Sequence, residues 1–184
     1  MKLTLGDHTY EVATRPLVMG VVRGNACVLD ATSMVSDGAD LLELRAGDAN
    51  QVVGVVEVPL VTRWHAEVAG AGVSRIVTHV GPGTVEEVRD HLVECAHKFE
   101  KAGTPTESIV VDPGLDRHKT PEQRTALLRR TEDLAALGYP LLMANDSPAE
   151  AGWAVSHGCR ILRTHDVKGM RRVADVIAAI LEAD

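Results

Sequence analysis

Residues 84–115 read TVEEVRDHLVECAHKFEKAGTPTESIVVDPGL. Val85, Val88, Leu92, Cys95 and Phe99 recur at helical spacing and put one apolar stripe on residues 84–101. Thr84 is a natural N-cap, Glu87 three residues on completes a capping box, and Gly103 is a stop. A short run of β-branched residues follows, Ile109–Val111, and it ends in Asp112-Pro113-Gly114. A long amphipathic helix feeding a continuously apolar strand is half of a βαβ unit. Such a strand is covered on both faces. An acid at its carboxyl end is where α/β proteins place their chemistry.

The same grammar extends in both directions. Strands are expected at Leu17–Arg23, Asp40–Leu44, part of Val52–Thr62, Arg75–His79, Pro140–Ala144 and Arg160–Arg163. A second helix is expected over Pro121–Leu137, capped by Thr120, opened by Pro121 and stopped by Gly138. A third spans about Val167–Leu181, with Met170, Val173, Ile177, Ile180 and Leu181 as its apolar repeat. Alternating strands and helices imply parallel strands with right-handed crossovers, in a barrel or an open sheet. Only one glycine follows the first strand in VVRGNACVLD, so a dinucleotide fingerprint is absent, and no phosphate-loop motif occurs.

The 184 residues suit a single domain spanning 1–184. The formal net charge of −7 argues against general nucleic-acid binding. The apolar runs are too short to span a bilayer, and MKLTLGDHTYEV does not read as a secretory signal. A soluble, cytoplasmic protein is expected. Cys27, Cys95 and Cys159 are scattered, without metal or disulfide spacing.

In order along the chain, LVMGVV (17–22), SDGADLLEL (36–44), HAEVAGAG (65–72), residues 84–115, KTPEQRTALLRRTEDLAALGYPLLMA (119–144) and GCRILRTHDV (158–167) resemble the dihydropteroate synthase family. The resemblance implies a TIM-like (β/α) barrel of the pterin-binding type. In that fold a pterin pyrophosphate condenses with p-aminobenzoate. A full barrel needs about 250 residues. This chain offers about seven recognisable strands, so one βα unit is expected to be lost, and the fourth strand has no recognisable counterpart.

The resemblance makes Asp112 a pterin-binding residue, and it makes Arg163, His165 and Lys119 the anion-binding set. The departures are as telling. Arg23 stands where the family has an asparagine. Glu43 and Arg45 replace part of its second-strand loop, and Thr62 replaces an aspartate. Asp116, Arg117 and His118 replace a Gly-Phe-Gly run. Asn145, Asp146 and Ser147 replace Ser-Arg-Lys. Arg23, Arg117, His118 and Asn145 are therefore rim candidates. Each missing buried partner of the ring costs about 1–3 kcal/mol. The expectation is a degenerate homologue that has lost catalysis; Asp116-Arg117-His118 would form an exposed loop, with the sharper alternative that charged side chains fill the old cavity. An active pterin-dependent transferase and a pterin or phosphate sensor without chemistry are the alternatives.

Simpler roles stand beside these. Asp112 would also serve as a plain turn former. Arg163 and His165 would also form a salt-bridge cluster with Asp166 or Asp112. Lys119 would also be a solvated pre-helix residue. No catalytic residue and no resident cofactor is assigned, and Mg²⁺ enters only if a diphosphate site works. His79, His118 and His165 would gather at one mouth, but their spacing matches no metal motif. A pterin or phosphate-containing small molecule is the expected ligand. No nucleic-acid or membrane partner is expected, and the resemblance implies a homodimer through the late helices.

Overall fold

The computed structural model describes residues 1–22, 27–44, 49–53, 55–62 and 75–183. Among these, seven parallel strands form the body: β3 (Leu17–Val21), β4 (Leu41–Leu44), β5 (Leu60–Thr62), β6 (Arg75–Thr78), β7 (Ile109–Asp112), β8 (Leu142–Ala144) and β9 (Ile161–Thr164). Hydrogen bonding orders five of them β5-β4-β3-β9-β8 and pairs β6 with β7. The two groups meet at a parallel bridge between Val111 and Leu141. The strands therefore run around an arc from β5 to β6. These two are consecutive among the described strands, and residues 63–74 between them lie outside the described residues. The arc is a (β/α) barrel short of one strand among the described residues, and the place of that strand is where the sequence offers no match.

The helices are α1 (Cys27–Ser36), α2 (Ala49–Val52), α3 (Val85–Lys101), α4 (Pro121–Arg129), α5 (Thr131–Ala135), α6 (Pro148–Ser156) and α7 (Val167–Glu182). The α3 capping box forms as its sequence dictates: Thr84 Oγ1 accepts from Glu87 N–H and Glu87 accepts from Thr84 N–H at 2.8 Å. The expected Pro121–Leu137 helix is instead two pieces, because the chain breaks at Arg130 (φ −104°, ψ 27°). In α7 the buried stripe is Val167, Met170, Ala174 and Ala178. Ile180 and Leu181, expected on the apolar face, are exposed together with Val176. Among the described residues no helix is long and apolar enough to cross a membrane.

Side chains alternate across each strand. Val18, Leu42, Val111, Met143 and Leu162 point outward into the layer shared with the helices. Gly20 also faces outward. A Cβ there would lie 2.9 Å from the Met34 sulfur and 3.0 Å from Val167, so only glycine lets β3 approach these side chains so closely. Leu17, Met19, Leu41, Val110, Leu142 and Ile161 point inward.

One element was not expected. Residues 2–11 form an antiparallel hairpin, β1 (Lys2–Leu5) and β2 (His8–Glu11), turned by Gly6 at φ +59°. Leu3, Leu5 and Val12 join the inward-facing cluster, and Tyr10 donates to the Asp40 carbonyl at 3.2 Å. The hairpin thus packs its apolar side on the barrel interior, at the amino end of β3 and β4.

Candidate functional site

The period of two that buries Leu41, Val110 and Ile161 inside the barrel carries Glu43, Asp112 and Arg163 into the same interior, one layer closer to the carboxyl ends of their strands. Three charged residues thus share the top of the arc, where this architecture places its chemistry.

Asp112 is 2 % exposed. It accepts the Gly114 N–H at 2.8 Å and the Thr78 hydroxyl at 3.2 Å; Thr78 is its register partner on β6. Burial pushes its carboxyl up to about 7, with the Gly114 N–H opposing and the nearby Asp116 charge adding to the rise. Gly114 is required by the turn: its φ is +69°, and a Cβ would meet the His79 carbonyl oxygen at 2.0 Å. The loop is tied by Arg117 N–H to the Gly114 carbonyl and Gly81 N–H to the Arg117 carbonyl. His118 adopts φ +59°, a left-handed conformation uncommon for a residue other than glycine.

Arg163 is 4 % exposed and held on two sides. Its Nε and Nη2 donate to the Glu43 carboxylate from within the barrel, and its Nη1 donates to Asp116 Oδ2 at 2.9 Å from the loop above. The expected salt-bridge cluster therefore exists with different partners. Asp112 bonds its own turn, and Asp166 accepts from Gly169 N–H as the N-cap of α7. A guanidinium buried this far needs carboxylate compensation, because a lone buried charge costs several kcal/mol. Glu43 and Asp116 supply it.

The other anion candidates are also engaged. Asp146 Oδ1 accepts from the His165 backbone and the Thr164 hydroxyl, at 2.9 and 2.7 Å, and its Oδ2 lies 3.2 Å from His165 Nδ1. Burial works to raise the Asp146 carboxyl, but these donors outweigh it and hold the group below its ordinary value. Lys119 does not join Arg163. Its Nζ lies 3.0 Å from His79 Nδ1 and donates to the Gly81 carbonyl at 2.6 Å. Burial lowers the pKa of Lys119. Burial also lowers that of His79, to which Lys119 and His91 add. Lys119 therefore clamps the loop after β6 to the loop after β7.

Of the rim candidates, Arg23 lies outside the described residues, as do Arg45, Trp64 and His65. Arg117 is 3.5 Å from Asp116, and His118 is exposed. Asn145 is buried and accepts from Ser147 N–H at 3.3 Å. The three mouth histidines do not converge: His79 packs edge-on against His91, His165 faces Asp146, and among the described residues no group of three or more His, Cys, Asp or Glu is placed to hold a metal. Glu43 and Asp116 are committed to the Arg163 guanidinium and Asp112 to Gly114 N–H and the Thr78 hydroxyl, so these three carboxyl groups do not fit Mg²⁺, which takes carboxylate oxygens as ligands.

Sequence reasoning assigned no role to Glu43, Arg124 and Glu150. Glu43 carries a signal like that of Asp112, a single acid in an apolar strand, here one residue before its end. Arg124 donates to Glu150 at 2.7 Å and to the Leu115 carbonyl at 3.1 Å. With Asp116, Asn145, Asp146, Arg163 and His165, Arg124 and Glu150 line a cavity of about 270 Å³ at the barrel mouth.

A family model described as "Pterin binding enzyme" matches residues 68–147. The chain is 31 % identical, over 92 % of its own length, to a probable bifunctional folylpolyglutamate synthase/dihydropteroate synthase of Haloferax volcanii, of which it covers 23 %. It is 30 % identical over 49 % of its length to the dihydropteroate synthase of Bacillus subtilis, covering 38 % of that protein. The chain spans less than half the length of the curated relatives it matches. Among solved structures, the dihydropteroate synthase of Thermus thermophilus in complex with 6HMPPP superimposes with a TM-score of 0.86 at 26 % identity, over 98 % of this chain and 100 % of that one. The enzyme of Xanthomonas albilineans in complex with 7,8-dihydropteroate gives 0.87 at 22 % identity, over 100 % of this chain and 99 % of that one, which is a likeness of fold.

Proposed function

The chain belongs to the dihydropteroate synthase family, and from that premise we propose that it is a dihydropteroate synthase-like barrel that has lost synthase turnover and keeps at most a remnant pterin site. The observation that carries this reading is the double engagement of Arg163 by Glu43 and Asp116. Expelling pyrophosphate demands cationic groups aimed at the charge that develops on the leaving oxygens. Here a phosphate oxygen would first have to displace a bonded carboxylate from a buried guanidinium, and it would then sit beside that carboxylate. The residues that replace the family's seventh-strand lysine add no cation, since Asn145 and Ser147 are neutral and Asp146 is acidic.

Asp112 retains what ring recognition asks of it: a buried carboxyl pre-set by Gly114 and Thr78. It supports residual pterin binding without chemistry. The test is incubation of the chain with 6-hydroxymethyl-7,8-dihydropterin pyrophosphate, p-aminobenzoate and Mg²⁺, with chromatographic detection of dihydropteroate. No product above a heat-inactivated control is expected. Turnover at ordinary enzyme rates, about 1–10 s⁻¹, overturns the proposal. Calorimetry with the pterin alone separates a ligand-binding remnant from an inert scaffold.

A further inference from the structure

We propose that His79 is a positioning residue for the Asp112 turn: its neutral imidazole holds the Lys119 ammonium, and protonation of that ring on mild acidification releases Lys119 and loosens the loops after β6 and β7. The inference goes beyond the reading of lost turnover and rests on none of the ion pairs of Arg163.

The geometry fixes the state of the ring. An ammonium group only donates hydrogen bonds. The Lys119 Nζ lies 3.0 Å from His79 Nδ1, donates to the Gly81 carbonyl at 2.6 Å and has the His79 carbonyl at 3.5 Å. The Nδ1 atom therefore accepts, and the neutral ring carries its proton on Nε2. A second proton, at Nδ1, removes the accepting lone pair and sets two cations against each other. The other titratable groups that face the ring come from α3. His91 packs edge-on with ring centroids 5.0 Å apart, and Glu87 acts through its charge. Burial, Lys119 and His91 disfavour the imidazolium; a backbone hydrogen bond and Glu87 oppose them, and the balance falls below the ordinary 6.5. The contact is thus closed in the upper part of the pH range and opens as pH falls through the lowered value.

The same two loops share main-chain bonds, from His79 N–H to the Asp112 carbonyl and from Gly81 N–H to the Arg117 carbonyl, both 3.0 Å. Release of Lys119 is therefore felt at the turn that sets the Asp112 carboxyl. The Asp112 and Asp116 charges also act on Lys119, and Asp112 takes up its own proton near 7, so the two titrations have to be separated.

The experiment follows the histidine Cε1–H resonances of the full chain by NMR from pH 8 to pH 4.5, with His79 assigned from the spectrum of His79→Asn. Amide hydrogen exchange at His79 and Gly81, corrected for intrinsic rates, is read at pH 7.5 and pH 5. The wild-type His79 midpoint is expected below 6.5, and protection of the two amides is expected to fall about tenfold at the lower pH, the scale of one hydrogen bond to a charged group. Lys119→Met should move the midpoint up towards 6.5 and leave protection low at both pH values. His79→Asn keeps an acceptor in place of Nδ1 and never takes a proton, so it should keep protection at both. Asp112→Asn should preserve the wild-type change. A His79 midpoint at or above 6.5, a midpoint that Lys119→Met does not raise, or wild-type protection that ignores pH overturns the inference. So does a change that Asp112→Asn abolishes, which would assign the switch to the acid. If His79→Asn folds poorly, Lys119→Met carries the test. None of these readouts requires a ligand or turnover, so failure here and an active synthase are distinguished.

Discussion

Replacing Asp112 with asparagine should change how stability depends on pH more than it changes stability at any one pH. In the folded chain burial raises this carboxyl to about 7, whereas in the unfolded chain it titrates near 3.9. Between these values the folded state holds the proton and the unfolded state does not. Stability from this group is therefore fully present below about pH 4. It declines as pH rises and is lost by the time pH has passed through 7. The full span is about three pKa units, or about 4 kcal/mol. Between pH 5 and pH 8 the same two-site expression gives about 2.5 kcal/mol. The introduced asparagine stays neutral throughout. Its Oδ1 still accepts the Gly114 N–H, and its Nδ2 can donate to the Thr78 hydroxyl, so both contacts of the native side chain have a counterpart. The assay is urea unfolding of both proteins at pH 5 and pH 8, with extrapolation to water. The wild type should lose about 2.5 kcal/mol more than the variant across that interval. Parallel losses, agreeing within about 0.5 kcal/mol, would refute the claim that a buried, proton-holding acid sits at the head of β7.

Three other perturbations test the surrounding structure. Glu43→Ala strands the inner face of Arg163 and should cost about 3–5 kcal/mol in the same unfolding measurement, while the Glu43→Leu, Arg163→Met pair should recover most of that loss. Gly114→Ala combines a positive φ with a Cβ that collides with the His79 carbonyl; a drop of about 3 kcal/mol or more is expected in thermal or chemical melts, and a neutral result would exclude the observed turn. Thr84→Ala removes half of a capping box and should lower stability by about 1 kcal/mol with no effect on ligand binding, measured by melts and calorimetry in parallel.

Much of the framework was legible in the sequence because it is encoded by neighbours. The spacing of Val85, Val88 and Leu92, the Thr84–Glu87 box and the Thr120-Pro121 start each act within a few residues, and the helices begin where these signals lie. The helix break at Arg130 has no local stop signal. At the amino end the signals were present but unused: Leu3 and Leu5 alternate with polar residues, and Gly6-Asp7 is a hairpin turn. In α7 the apolar repeat was visible, but the sequence did not say that the small residues Ala174 and Ala178, rather than Ile180 and Leu181, would lie against the rest of the fold.

The candidate site divides along the same line. Asp112 could be singled out because its position at the end of an apolar strand and before Pro-Gly is a local fact. The fate of Arg163 could not. Glu43 is 120 residues away and Asp116 is 47. The reading of Arg163 as either an anion anchor or a salt-bridge member left open a choice that no spacing resolves. By itself the sequence determined the parallel strands and the starts of the long helices, and its resemblance to a known family placed acids and bases at one rim. Only the tertiary structure decided which acid meets which base, because an ion pair is chosen by the distance that barrel curvature leaves between strand ends, and that distance depends on every strand in the arc.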